Sequence, residues 1–210
     1  MSKAPISEEF IIAGPAGKLE VRVSSPQSAN NTPIPYIVVC HPHPLYGGTL
    51  DNKVVYTIAS TFNQLGVGSV RFNFRGIGKS SGHFDYGKGE VDDLQTVVTW
   101  LNTQQTIQEL WLAGYSFGGY VALRAHRHLN AQRLLLVAPA IEQVDFAELQ
   151  LSAIPTLIIQ GNQDEVISPQ SVATWVAKQP HQPSLQWVQS ADHFFHRQLN
   201  ELREIILREW

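Results

Sequence analysis

The chain has 210 residues, 43% hydrophobic and 16% charged, a composition that can bury a sizeable core and excludes a disordered segment as its main part. Its net charge of −3, with no basic run, argues against nucleic acid or an anionic membrane as a partner. A single cysteine, Cys40, cannot form an intrachain disulfide, and no apolar run approaches the roughly 20 residues that span a bilayer.

The N-terminus, Met1 to Glu9, lacks the apolar core of a secretory signal, so the expected location is the cytoplasm. Phe10 to Ile12 and Leu19 to Val23 are short β-prone runs separated by Gly14-Pro15-Ala16-Gly17, a hairpin pattern. A polar loop leads to Ile34–Cys40, a continuous apolar strand of the kind buried on both faces. His41-Pro42-His43-Pro44-Leu45-Tyr46-Gly47-Gly48 then breaks regular structure. Lys53 to Leu65 reads as a helix with Val54, Val55, Ile58, Ala59, Phe62 and Leu65 on one face, capped by Gly66.

Val67 to Phe74 is the next strand, followed by the turn Arg75-Gly76-Ile77-Gly78-Lys79-Ser80. Glu90 to Thr103 reads as a second helix, and its acids Glu90, Asp92 and Asp93 suit the positive helix N-terminus without further explanation. Leu110 to Ala113, Arg133 to Ala138 and Thr156 to Gln160 are further apolar strands. Ser168-Pro169 opens a helix with a preferred cap and a proline in the first turn. Leu185 to Val188 alternates as a strand. A last helix places Phe195, Leu199, Leu202, Ile206 and Trp210 on one stripe. Strands alternating with helices from residue 34 onward imply one α/β domain over 1–210, its mostly parallel sheet covered on both faces and preceded by an antiparallel hairpin. The stretch 139–154 is too short for a separate lid domain.

Gly114-Tyr115-Ser116-Phe117-Gly118 sits between an apolar strand and a helix, the nucleophile-elbow pattern. Glycine at 114 and 118 relieves the crowding of a sharp strand-to-helix turn, and helix N-terminal amides point to where negative charge would form. An activated serine needs a base, and the base needs an orienting acid. Loops at the carboxyl ends of later strands offer Asp164 and then His193, in the order Ser…Asp…His. Glu165, Glu142 and Asp145 are alternative acids, and His196 is an alternative base. Asp192 adjoins His193, which makes an orienting hydrogen bond between the two awkward.

These residues carry a resemblance. The chain resembles an α/β-hydrolase over nearly its whole length. It is similar to a lidless group with His-Pro-His-Pro-x-x-Gly-Gly-x-x-x-Asn-Lys, here His41 to Lys53, and Phe-Asn-Phe-Arg-Gly-x-Gly-x-Ser, here Phe72 to Ser80. The resemblance implies a serine hydrolase with a Ser116–Asp164–His193 triad. One oxyanion donor is expected at the Phe117 amide. The other should come from the loop after Cys40, where Pro42 and Pro44 have no N–H, leaving His43 or Leu45, with Leu45 preferred.

Gly78-Lys79-Ser80 is not a phosphate-binding loop, because the position five before Gly78 is Asn73 rather than glycine. Gly76-x-Gly78 lacks the third glycine of a dinucleotide fingerprint. His41-x-His43 and His126-x-His128 lack accompanying carboxylates or cysteines, and the second pair reads as lying on an exposed helix face, so neither is expected to bind metal. The expected partner is a small-molecule carboxylic ester or thioester, with no metal or organic cofactor. An acyl transferase or perhydrolase on the same triad, or a non-catalytic binding protein on the same scaffold, is the alternative.

Overall fold

The computed structural model describes residues 5–26, 32–141 and 149–210. The candidate acids Glu142 and Asp145 lie outside these described residues. Among the described residues eight strands form one sheet: β1 (Ile6–Gly14), β2 (Gly17–Ser25), β3 (Ile34–Cys40), β4 (Gly68–Phe72), β5 (Ile107–Tyr115), β6 (Arg133–Val137), β7 (Thr156–Gly161) and β8 (Ser184–Val188). Their spatial order is β1-β2-β4-β3-β5-β6-β7-β8. The β1–β2 and β2–β4 pairs are antiparallel, and every later pair is parallel. Chain order reverses around β3, so the loops after β3 and β5 open side by side at the carboxyl edge, where open α/β sheets place their sites.

Among the described residues five helices cover the sheet: α1 (Lys53–Gln64), α2 (Lys88–Gln104), α3 (Phe117–Ala125), α4 (Pro169–Ala177) and α5 (Leu199–Glu209). Successive strand residues feed opposite cores. Val38, Leu112, Leu136 and Ile158 pack with residues of α2, α3 and α4. Ile37, Val39, Leu135 and Ile159 pack on the other face with residues of α1 and α5. The central strands β3, β5, β6 and β7 are covered on both sides, which is why they read as unbroken apolar runs rather than as alternation. Each such Leu, Ile or Val contributes about 1.5–3 kcal/mol when fully buried.

Several boundaries and faces differ from the sequence expectation. Both hairpin strands are longer, because a β1–β2 register running from Ile6↔Ser25 to Gly14↔Gly17 recruits polar residues through backbone pairing alone. A single 3₁₀ turn, Pro44–Tyr46, lies within the stretch expected to be irregular. Leu65 does not join the buried face of α1; it follows the last helical residue and is 40% exposed. Phe195 is fully buried but precedes α5, held at a positive φ of 55°. His126 is buried rather than on an exposed face, its Nδ1 against the Leu123 carbonyl and its Nε2 accepting from Ser152 N–H at 3.2 Å.

The acids of α2 do more than favour a helix terminus. Glu90 accepts from the amides of Gly87 at 2.7 Å and Asp85 at 2.9 Å, closing the first turn on itself. Asp93 is fully buried and takes both Nε and Nη2 of Arg75, at 3.0 and 2.8 Å, as well as the Arg75 amide at 2.9 Å. This fork clamps the loop after β4 onto α2. Along the same loop, Ser80 Oγ accepts from the Glu20 amide and donates to the Asn73 carbonyl, and the Glu20 carboxylate accepts from Asn73 Nδ2 and the Lys79 amide. The Phe72-to-Ser80 motif is therefore an anchored loop, and it carries Phe84 and Tyr86 toward the sheet edge.

Candidate active site

Ser116 occupies the tip of the turn between β5 and α3, with φ 54° and ψ −119°. A left-handed serine is strained by roughly 1–3 kcal/mol, so its surroundings must hold it. Its amide donates to the Val137 carbonyl at 2.9 Å, and its carbonyl accepts from Gly119 and Ala140 at 2.9 and 3.2 Å. The two flanking glycines let backbone pass backbone. A Cβ at Gly114 would lie 2.1 Å from the Gly118 carbonyl oxygen, and one at Gly118 would lie 2.2 Å from that of Cys40.

His193 lies in the loop after β8, 4% exposed, with its Nε2 3.1 Å from Ser116 Oγ and its Nδ1 2.8 Å from Asp164 Oδ2. Because Asp164 can only accept when ionised, the imidazole proton sits on Nδ1 and the Nε2 lone pair faces the serine. Asp164, in the loop after β7, also receives the amides of Ile167 and Val166 on Oδ1 at 2.7 and 2.9 Å. Burial alone would raise its carboxyl pKa; hydrogen bonds from His193, Ile167 and Val166 outweigh that and hold it below the usual carboxylate value.

The loops carrying Asp164 and His193 are stitched together. Gln163 N–H donates to the Ala191 carbonyl at 3.0 Å, and Asn162 bridges Ser190 and Gln189. Gly161 permits this approach, since a Cβ there would lie 2.4 Å from the Ala191 carbonyl oxygen. The Tyr115 hydroxyl donates to the His193 carbonyl at 2.8 Å, so the residue before the serine also anchors the histidine loop. The alternative base, His196, is 72% exposed in its side chain and pairs with Asp192 at 2.6 Å, away from Ser116.

Gln160 is a site residue that the sequence reading overlooked. It is fully buried at the end of β7, and its Nε2 donates to Asp164 Oδ2 at 2.8 Å. Its Oε1 has no hydrogen-bond partner among the described residues. The signal was present: a lone amide closes an otherwise apolar strand four residues before the acid.

The loop after β3 lies against the elbow. His41 is fully buried, its Nδ1 2.6 Å from the Pro42 carbonyl and its Nε2 accepting from Phe74 N–H at 3.0 Å. Burial lowers its pKa to about 4, against the opposing pull of the Pro42 carbonyl, so the ring is neutral and braces this loop to the end of β4. The Leu45 amide, the preferred second donor on sequence grounds, already donates to His43 Nδ1 at 3.2 Å. Leu45 itself is 67% exposed, whereas the His43 ring packs 5.1 Å from that of Phe117, centroid to centroid. Among the described residues neither the Phe117 nor the His43 amide has an acceptor. Phe117 is the first residue of α3, where amides lack intrahelical partners.

Cys40 is buried beneath this loop, and burial pushes its thiol pKa up, which fits a packing role. Among the described residues no group of three or more His, Cys, Asp or Glu side chains could hold a metal ion. No described helix is long and apolar enough to cross a membrane. The arrangement of Ser116, His193 and Asp164 can pass a proton from hydroxyl to imidazole while an anion holds the imidazolium, the requirement of nucleophilic acyl transfer.

A family model described as an alpha/beta hydrolase domain matches residues 38–204. A lidless α/β serine hydrolase from Xanthomonas campestris superposes with a TM-score of 0.91 at 41% identity, covering 97% of this chain and 93% of that one. An α/β serine hydrolase homologue from Coxiella burnetii gives a TM-score of 0.90 at 42% identity, over 96% of each chain. The uncharacterized protein RP471 of Rickettsia prowazekii is 34% identical over 92% of this chain and 84% of its own. Sheet order, elbow and these likenesses agree, and the chain belongs to the α/β-hydrolase family, with lidless serine hydrolases as close structural neighbours.

Proposed function

We propose that this protein is a serine esterase that cleaves a carboxylic ester or thioester through an acyl-enzyme on Ser116. The observation that carries the reading is the continuous hydrogen-bonded chain from Ser116 Oγ through His193 to Asp164, with both links within 3.1 Å. Ser116 Oγ attacks the substrate carbonyl carbon as its proton passes to His193 Nε2. Asp164 keeps the other imidazole proton on Nδ1 and stabilises the imidazolium. The carbonyl oxygen gains the negative charge and is held by the Phe117 amide and, in this reading, the His43 amide. His43 replaces Leu45 as the second donor because the Leu45 N–H is engaged by His43 Nδ1. His193 then protonates the departing alkoxide or thiolate. Water, deprotonated by His193, attacks the acyl-enzyme and releases the acid.

The test is hydrolysis of p-nitrophenyl esters from acetate to palmitate, with fluorophosphonate labelling, comparing wild type and Ser116→Ala. Serine-dependent turnover and labelling are expected. Turnover no greater than that of Ser116→Ala, together with absent labelling, overturns the reading in favour of a binding protein on the same scaffold.

A further inference from the structure

Among the described residues nine large hydrophobic side chains are exposed, and five of them sit on the loops that follow β3, β4, β7 and β8, around the site. They are not evenly mixed. Tyr46 and Tyr86, 83% and 77% exposed, flank a contiguous cluster of rings. His43 lies at its centre, 4.6 Å from Tyr46, 4.7 Å from Phe84 and 5.1 Å from Phe117 between centroids. Phe84 continues it to Tyr86 at 5.0 Å and to Phe117 at 5.6 Å. All these pairs are tilted rather than stacked face to face, so ring edges as well as faces are presented.

Resting on the esterase reading, we propose that the substrate carries an aromatic ring on the arm that lies over the His43–Phe84–Tyr86 wall. Exposed apolar surface concentrated at one place marks a binding site, and here it adjoins the candidate nucleophile through Phe117. The chemistry of the wall favours a ring over an alkyl chain. A planar group with a negative face and positive edge completes tilted and offset pairs that a saturated chain cannot make. The wall is also held ready before any ligand arrives. The Arg75–Asp93 fork and the Glu20–Ser80 hydrogen bond anchor the loop bearing Phe84 and Tyr86. Likewise His43 is fixed by the Leu45 amide, which occupies Nδ1.

The experiment compares matched esters that differ only in ring saturation. Ethyl 3-phenylpropanoate against ethyl 3-cyclohexylpropanoate tests the acyl arm, and benzyl acetate against cyclohexylmethyl acetate tests the alcohol arm. On one of the two arms kcat/KM should favour the aromatic partner by about tenfold. That preference should fall below about twofold in Phe84→Leu and Tyr86→Leu. In parallel, Ser116→Ala is titrated with the same four esters by calorimetry, so the ring preference is read without chemistry. Equal binding of aromatic and saturated partners, or a preference that survives both substitutions, overturns the aromatic wall and leaves the esterase standing. Retained ring-selective binding with no wild-type turnover overturns the esterase instead.

Discussion

Gln160 Nε2 and His193 Nδ1 converge on the same carboxylate oxygen, Asp164 Oδ2, each at 2.8 Å. The amide orientation is dictated by charge: turned over, its oxygen would face the carboxylate. Gln160 thereby draws charge from the oxygen that His193 also bonds, and its own Oε1 is left without a partner among the described residues. Gln160→Met removes that donor and the orphaned acceptor together, so thermal stability should change little. With one donor fewer holding Asp164 Oδ2 in place, kcat/KM for a p-nitrophenyl ester should fall by about two- to tenfold. An unchanged kcat/KM would confine Gln160 to a packing role.

Asp164→Asn should be far more damaging to rate than to fold. The asparagine amide would donate toward His193 Nδ1, driving the imidazole proton to Nε2 and removing the lone pair that faces Ser116 Oγ at 3.1 Å. In serine hydrolases of this type such a tautomer error lowers kcat by about 10⁴-fold. Steady-state kinetics with a p-nitrophenyl ester measures it; a loss under tenfold would mean the acid lies elsewhere.

The elbow glycines make a stability prediction of opposite character. At Gly118 a methyl group would meet the carbonyl oxygen of Cys40 at 2.2 Å and that of His41 at 2.6 Å, both backbone atoms with no rotamer to escape into. Gly118→Ala should cost about 3 kcal/mol or more and pull the loop after β3 away from the serine. Urea unfolding reads the cost directly. A midpoint equal to wild type would contradict the tight passage of α3 over β3.

His41 makes the fold sensitive to acid. Its folded pKa, depressed by burial to about 4, lies below the ordinary 6.5, so the unfolded chain binds the proton more readily. The contribution is complete above pH 6.5 and is lost as pH falls toward 4, on the order of 3 kcal/mol in all. Asp164 adds to this at lower pH, because its depressed carboxyl favours the folded state until it is protonated. His41→Gln keeps an acceptor for Phe74 N–H without the titration. The decline of Tm between pH 6.5 and 4 should be shallower in the variant; parallel curves would show that His41 is not the group responsible.

Periodicity and punctuation carried most of the architecture. Unbroken apolar runs such as Ile34–Cys40 announced strands covered on two faces, and Ser168-Pro169 announced the start of α4. The elbow was readable because a sharp turn between strand and helix tolerates few residues at its flanks. Candidates for the acid and base were readable as types in order, Asp164 then His193, on loops at strand ends. These are local constraints, in which each residue is selected by its immediate neighbours along the chain.

Pairing across the fold was decided elsewhere. Sequence left His196 beside His193 and Leu45 beside His43 as rivals. Only the folded conformation of the loop after β8 pairs His196 with Asp192 and sets His193 against Ser116, and only the 3₁₀ turn at Pro44 engages the Leu45 amide. The Arg75–Asp93 clamp was likewise invisible, because it is a contact between separate elements at one edge of the sheet. Spacing along a chain specifies periodicity, capping and turn chemistry. Which donor meets which acceptor depends on the crossover that brings distant loops to the same strand ends, and that is a property of the folded sheet alone.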